Sequence, residues 1–406
     1  MKQQTEQQGA FRYTAKYAAI QGSYWPIFCS SYSFASVFLL SRDFNNSQIG
    51  IVLALANVFA VFLQPVVAVY ADTTKKISLK NLTALLALAA GMLTAVRCLI
   101  PGVLPVLAVL LVLELTLLFS LQPLISALGM RMINKGININ FGFARGFGSL
   151  AFAACSYIVG ILVERFGPEA SPVVSVCFFI ILIFFVYTFT KNRELQTDTA
   201  LMQQVNEEKQ DNATNILGFF RKYKRFILLL LAVACTFVSH SMINNYFIQI
   251  TNNVGGDTKD MGFAIGLAAA IELPAMMLFT WISKKIRCSF ILKSSFVFFL
   301  IKAVLTLLAP NVVVLCIAQA FQFFAYAMFI PASIYYVNQI IGREDLVKGQ
   351  AFMTGAITLG GVAASLLGGW LLDAYGAGEL LAVSSVATVI GLLIAWISIE
   401  KTTIEA

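Results

Sequence analysis

Polar residues in this chain come in short clusters. Between them run apolar stretches of about 20 residues or more, the length that crosses a bilayer's hydrocarbon core. After a polar opening, Met1 to Lys16, there are twelve of these: 17–40, 48–70, 79–99, 103–128, 143–165, 171–190, 226–250, 261–283, 289–308, 311–340, 350–372 and 380–398. Several contain a proline (Pro26, Pro65, Pro123, Pro274, Pro331), which membrane helices tolerate better than soluble ones. The pattern predicts an all-α membrane protein of twelve transmembrane helices. Lys191 to Arg225, rich in Gln, Asn, Asp, Glu and Lys, interrupts it halfway. That break divides the chain into a six-helix bundle over 1–190, a solvated linker over 191–225 and a second bundle over 226–406. The basic end of the linker, FFRKYKRF, is expected at the lipid headgroups.

The two bundles echo each other. Phe143-x-x-Gly146, Gly160, Glu164, Phe166 and Gly167 recur as Phe352-x-x-Gly355, Gly369, Asp373, Tyr375 and Gly376, always 209 residues on. This points to a duplicated helical half. Arg145, inside the first copy, corresponds to Thr354, so the arginine is kept in one half only.

Composition agrees with lipid as the solvent: 59% of residues are hydrophobic and 12% charged, where a soluble protein carries roughly 25% charged. The net charge of +8 does not call for nucleic acid, because of where the cations lie. With the N-terminus inside, 22 of the 28 Lys and Arg fall on inner segments, and Arg42, Arg97, Arg165 and Lys259 fall outside. This bias places both termini in the cytoplasm of a cell-membrane protein. The seven cysteines are scattered through apolar segments with no CxxC pair, so neither a metal site of ordinary spacing nor a disulfide framework is expected. Nor does the first apolar segment look like a cleavable signal, being too long and lacking a clear cleavage site.

Four ionisable residues lie well inside the spans: Glu114, Arg145, Glu272 and Lys302. Each is expensive there and is a functional candidate by default. The plain alternative is mutual neutralisation, in pairs such as Glu114–Arg145 or Glu272–Lys302. Pro274, just after Glu272, frees nearby carbonyls and favours a lining position. His240, with Asn244 and Asn245 close by, suits an interhelical hydrogen bond as well as a solute contact. Gln122, Gln319 and Gln322 can serve hydroxyl groups of a solute or one another.

Two six-helix halves in the same orientation describe the parallel repeat of the major facilitator superfamily. The loop after the second span resembles that family's loop motif, with Gly50, Gln64-Pro65 and Asp72 followed by Lys75 and Lys76. Ala71 replaces the usual glycine, and Ser283-Lys284-Lys285 stands in the second half without the acid. FGFARGFGSLAFA is similar to the fifth helix of the lactose permease branch, the oligosaccharide/proton symporters. Arg145 matches its arginine and Phe152 its sugar-stacking aromatic. AAAIELPAMM resembles the eighth helix, so Glu272 matches the sugar-binding acid; in FFLIKAVLTLL, Lys302 replaces a coupling arginine. The branch's coupling histidine and glutamate correspond to Gln322 and Ala325, and Ala127 replaces its fourth-helix acid. Its charge pairs are missing together, Val238 and Ser241 replacing the acids and Gln319 and Ile357 the lysines, which leaves no stranded charge.

The resemblance implies a secondary transporter that works by alternating access on a small polar organic solute. Sugar or glycoside uptake by proton symport is the leading reading. Arg145, Glu272, Phe152, Gln322, His240 and Asn245 are its candidate solute-binding residues. Glu272, Lys302 and Glu114 are candidates for ion coupling, and Asp72, Lys75 and Lys76 for the gating loop. A carrier of organic anions such as an aromatic carboxylate is the alternative, with Arg145 and Lys302 on the carboxylate. A membrane sensor is the alternative of another class, although only the linker is long enough to be a soluble part. An enzyme is not expected: there is one His, no paired Cys and no phosphate loop, and Gly146-Phe147-Gly148 lacks both the third glycine and the βαβ setting of a dinucleotide fingerprint. No cofactor, metal or nucleic acid is expected; the partners are solute, lipid and a coupled proton, and the protein should act as a monomer.

Overall fold

The computed structural model describes residues 2–73, 77–100, 104–134, 137, 139–189, 216–342 and 344–402. Sixteen α-helices are found among them. In chain order they are α1 (Lys2–Phe28), α2 (Ala35–Leu40), α3 (Asn46–Thr73), α4 (Leu79–Leu99), α5 (Leu104–Asn134), α6 (Phe141–Phe166), α7 (Ala170–Phe189) and α8 (Ile216–Lys222). Then come α9 (Lys224–Asn245), α10 (Phe247–Asn253), α11 (Thr258–Ile282), α12 (Cys288–Leu307), α13 (Val312–Ala320), α14 (Tyr326–Ile340), α15 (Leu346–Ala374) and α16 (Ala377–Ser398). Eleven spans long and apolar enough to cross a membrane lie among the described residues.

The twelfth expected span, residues 17–40, is the first in the chain and is not one continuous helix. A π-helical turn, Cys29–Ser33, separates α1 from α2. Ser30 Oγ donates to the Pro26 carbonyl at 2.8 Å, competing with the backbone for the acceptor an α-helix would use. Phe34 N–H then closes the wider ring onto the Cys29 carbonyl at 3.3 Å. The expected span 311–340 is interrupted as well. A 3₁₀ turn, Phe321–Phe323, follows α13, and Ala325 at φ −80°, ψ −92° leaves helical geometry before α14 begins.

The chain divides into two compact units, residues 1–44 with 55–204, and residues 45–54 with 205–406. The start of α3 thus groups with the second unit, where Asp373 caps it: the N–H groups of Asn46 and Ser47 donate to its carboxylate at 3.0 and 2.7 Å. Most of the expected linker lies at 190–215, outside the described residues.

Within each unit the same helix pairs pack. In the first, α1 lies against α6 and α7, and α4 against α5 and α7; in the second, α9 lies against α15 and α16, and α12 against α14 and α16. The duplication reaches individual side chains. Ser30 Oγ meets Ser175 Oγ at 2.6 Å, and Ser239 Oγ, 209 residues on, meets Ser384 Oγ at 2.8 Å. Small residues make the helix contacts possible. A Cβ on Gly148 would stand 2.5 Å from Trp25, and one on Gly368 would stand 2.5 Å from Tyr246.

Candidate functional site

The first unit contains a sealed ion cluster. Glu114 on α5 and Arg97 in the last turn of α4 are 0% and 1% exposed, with Arg97 Nη2 3.0 Å from Glu114 Oε2. Ser31, on the π-helical turn, donates to Glu114 Oε1 at 2.6 Å, and its Oγ lies 2.8 Å from the Ser175 hydroxyl. The Arg97 guanidinium lies 4.6 Å from the centre of the Phe38 ring. Mutual neutralisation, the plain alternative weighed from sequence with Arg145 as a possible partner, is met at Glu114 by Arg97 instead. Arg97, assigned from sequence to the outer side, is buried within the unit. A charge in a helix's final turn resembles a loop residue in a one-dimensional pattern; here the side chain turns inward to meet an acid on the next helix.

Arg145 occupies a different setting in the same unit. Asn140 caps α6 by accepting from Phe143 N at 2.9 Å, and Arg145 follows within the first turns. Its guanidinium stacks on Trp25 of α1 at 4.0 Å from the ring centre, and its Nη1 donates to Ser149 Oγ at 3.1 Å. Trp25 Nε1 donates to Gln21 Oε1 at 3.0 Å, and Gln21 Nε2 to the Tyr17 hydroxyl at 2.9 Å. From Trp25 a stripe of half-buried rings continues through Phe28 at 5.4 Å and Tyr32 at a further 5.1 Å; Phe119 of α5 stands 5.2 Å from Tyr32. Phe152, the expected stacking aromatic, lies half-buried two turns along α6 from Arg145. Trp25 was not anticipated. Its signal was a large amphipathic side chain, one of four tryptophans, beside Pro26 in the first span.

The second unit places three of the expected residues in one hydrogen-bonded chain. Lys302 Nζ on α12 donates to Gln322 Oε1 at 2.6 Å, and Gln322 Nε2 donates to Glu272 Oε1 on α11 at 3.0 Å. Glu272 and Lys302 are thus joined through the amide, which sits on the 3₁₀ turn between α13 and α14. Lys302 is 1% exposed and Gln322 5%, while Glu272 is only half-buried. The amine end of the chain is buried and the acid end only partly so.

His240 on α9 stands in an aromatic box. Tyr326 stacks on it at 5.1 Å, and Phe237 and Phe299 meet it edge-on at 5.6 and 5.5 Å. Its Nε2 is 3.0 Å from Asn244 Nδ2, and its buried Nδ1 has no hydrogen-bond partner among the described residues. Asn245 is directed instead to Ser365 Oγ, at 2.9 Å. Of the other two glutamines, Gln319 is buried and Gln122 exposed. At the expected gating loop, the Asp72 side chain and residues Lys75 and Lys76 lie outside what the structure describes; next to them, Arg131 Nη2 donates to the Ala71 carbonyl at 3.3 Å. No cluster of three or more metal-binding side chains occurs among the described residues.

Membrane-spanning helices in two matching sets, with charged side chains bonded inside the spans, define a multi-pass transporter of the major facilitator fold. The chain belongs to the MFS_1 like family, whose model matches residues 22–383. Among curated proteins it is 24% identical over 336 residues to the uncharacterized transporter YwbF of Bacillus subtilis (strain 168), covering 81% of this chain and 79% of that one. The fold is similar to that of the nucleoside transporter NupG (TM-score 0.73, 14% identity, 95% and 98% of the two chains covered). It is similar also to that of a D-xylose-proton symporter (TM-score 0.71, 17% identity, 98% and 99% covered).

Proposed function

We propose that this transporter takes up a small hydroxylated organic solute, a sugar or glycoside, in symport with a proton, as the lactose permease-like reading of Arg145 and Glu272 suggests. The observation that carries the proposal is the Lys302–Gln322–Glu272 chain at the break between α13 and α14. A half-buried carboxylate has about four lone-pair sites on its two oxygens, and so it can accept from solute hydroxyls as well as from the Gln322 amide. The buried lysine at the other end allows the acid to gain or lose a proton without leaving an uncompensated anion. Interrupted helices are where transporters place such groups, because the broken backbone turn can follow the side chains it carries. The symporter and nucleoside transporter with this fold are named for solutes rich in hydroxyls, which suits the same chemistry.

The Arg145–Trp25 stack, with half-buried rings continuing from it, favours a second reading, an aromatic carboxylate as the solute. In vesicles containing the purified protein, labelled sugar should accumulate and the interior should acidify as it enters. Accumulation without proton movement would remove symport from the proposal. Displacement of the label by unlabelled aromatic carboxylate, and not by unlabelled sugar, would favour the second reading.

A further inference from the structure

The basic end of the linker has no part in the solute chemistry above, yet it lines a cavity of 330 Å³ at the foot of α9. Arg221, Lys222, Lys224 and Arg225 contribute four cations to its wall, and Tyr223, Tyr336 and Glu400 complete the polar lining. Two of these cations have acidic partners. Lys222 Nζ is 2.8 Å from Glu344 and 3.2 Å from the buried Asp345, and Arg225 is 3.0 Å from Glu400. Arg221 and Lys224 are exposed and have no acid at ion-pair distance among the described residues. The pocket therefore retains two cations suited to an anion.

The helix carrying Lys224 indicates what the anion is attached to. Leu228 and Leu231 follow at i+4 and i+7, on the same face of α9, and are 45% and 52% exposed. Phe220, next to Arg221, is 38% exposed. Cations at the end of a spanning helix, continuous with an apolar stripe along it, match a molecule with a charged head and hydrocarbon chains.

We propose that this pocket binds the phosphate headgroup of an anionic membrane lipid, with Arg221 and Lys224 on the phosphate and the acyl chains along Leu228 and Leu231. Inorganic phosphate shares the head chemistry but has no use for the apolar stripe, and so the two sources separate experimentally. Full-length protein in detergent is titrated with phosphatidylglycerol, phosphatidylcholine or inorganic phosphate, and lipid binding is read by native mass spectrometry and by the melting temperature. Phosphatidylglycerol is expected to bind and raise the melting temperature, and the other two to do neither. Arg221→Gln and Lys224→Gln should each weaken binding about fivefold, and the pair together about 30-fold. Lys293→Gln, at a basic position beside Trp396 and outside the pocket, should leave it unchanged. Wild-type affinity in both single variants, or a Lys293→Gln loss as large as theirs, would overturn the site. A phosphate effect equal to that of phosphatidylglycerol would make it a soluble-anion pocket and overturn the lipid assignment.

Discussion

The two units hold comparable polar clusters on equivalent helices and finish them differently. In the first, a cation from α4 meets an acid from α5; in the second, a cation from α12 meets an amide on the turn after α13. The equivalence is close but shifted. Thr306 stands 209 residues after Arg97, one turn from Lys302, and Phe323 stands 209 after Glu114, beside Gln322. In the first cluster both charges are buried and the carboxylate already accepts from an arginine and a serine. In the second, a neutral side chain separates the buried lysine from a half-buried acid. A salt bridge that is closed on all sides fixes helices in place. One extended by an amide ends on a carboxylate that is only half-buried. We read the first copy as structural and the second as the working copy.

The strongest way to break that contrast is to remove one charge from the closed pair. Glu114→Ala strands Arg97 in a buried site and should destabilise the protein by about 3–5 kcal/mol, whereas Arg97→Met with Glu114→Leu should recover most of the loss. Melting in detergent measures both, and an unchanged Glu114→Ala melt would refute the structural role. Next in size, Glu272→Gln keeps the shape of the open chain and removes its charge. Uptake should drop by about 10-fold or more while stability changes by less than about 1 kcal/mol. Equal losses of stability in Glu272→Gln and Glu114→Ala would erase the distinction between the copies. Smaller still, the duplicated serine pairs allow a direct comparison: Ser30→Ala and Ser239→Ala should each cost about 1 kcal/mol. Ser30 should cost the more, because its hydroxyl also anchors the π-helical turn. Uptake measured on the same two variants shows whether the second unit is the more sensitive.

The smallest effect lies at the surface of the second unit. The hydrogen bond from Lys222 holds the Glu344 carboxyl below its usual value of 4.5, and the same contact holds the Lys222 ammonium above its own. A depressed acid contributes stability above its ordinary value, and the contribution disappears as pH falls through the lowered one. The melting difference between wild type and Glu344→Gln should accordingly be constant from neutral pH to about 4.5, then shrink and vanish as pH falls through the lowered value. A difference that grows on acidification would show that the pair contributes nothing.

Much of this architecture could be read from one chain because lipid leaves so few ways to bury a backbone. Long apolar runs had to be helices, and glycines recurring 209 residues apart had to be a repeat. The site was legible as a set of costly residues and illegible as partnerships. Glu114 stood out at once, but its partner did not, because Arg97 sits where a helix end looks like a loop. Glu272 and Lys302 suggested a direct pair; Gln322 between them could not be foreseen, since an amide's bonds depend on side chains from other helices. The π-helical turn after Pro26 was equally hidden, because the apolar pattern of residues 17–40 passes through it unbroken. Apart from that turn, whose bonds run within residues 26–34, what escaped was tertiary.

Gln322 rides on a turn that belongs to neither α13 nor α14, and with its two ends it grips groups from two other helices. Whatever draws Glu272 away must therefore tug a lever whose fulcrum is a break in the helix, so that occupancy of the acid and the bend at that break become one variable.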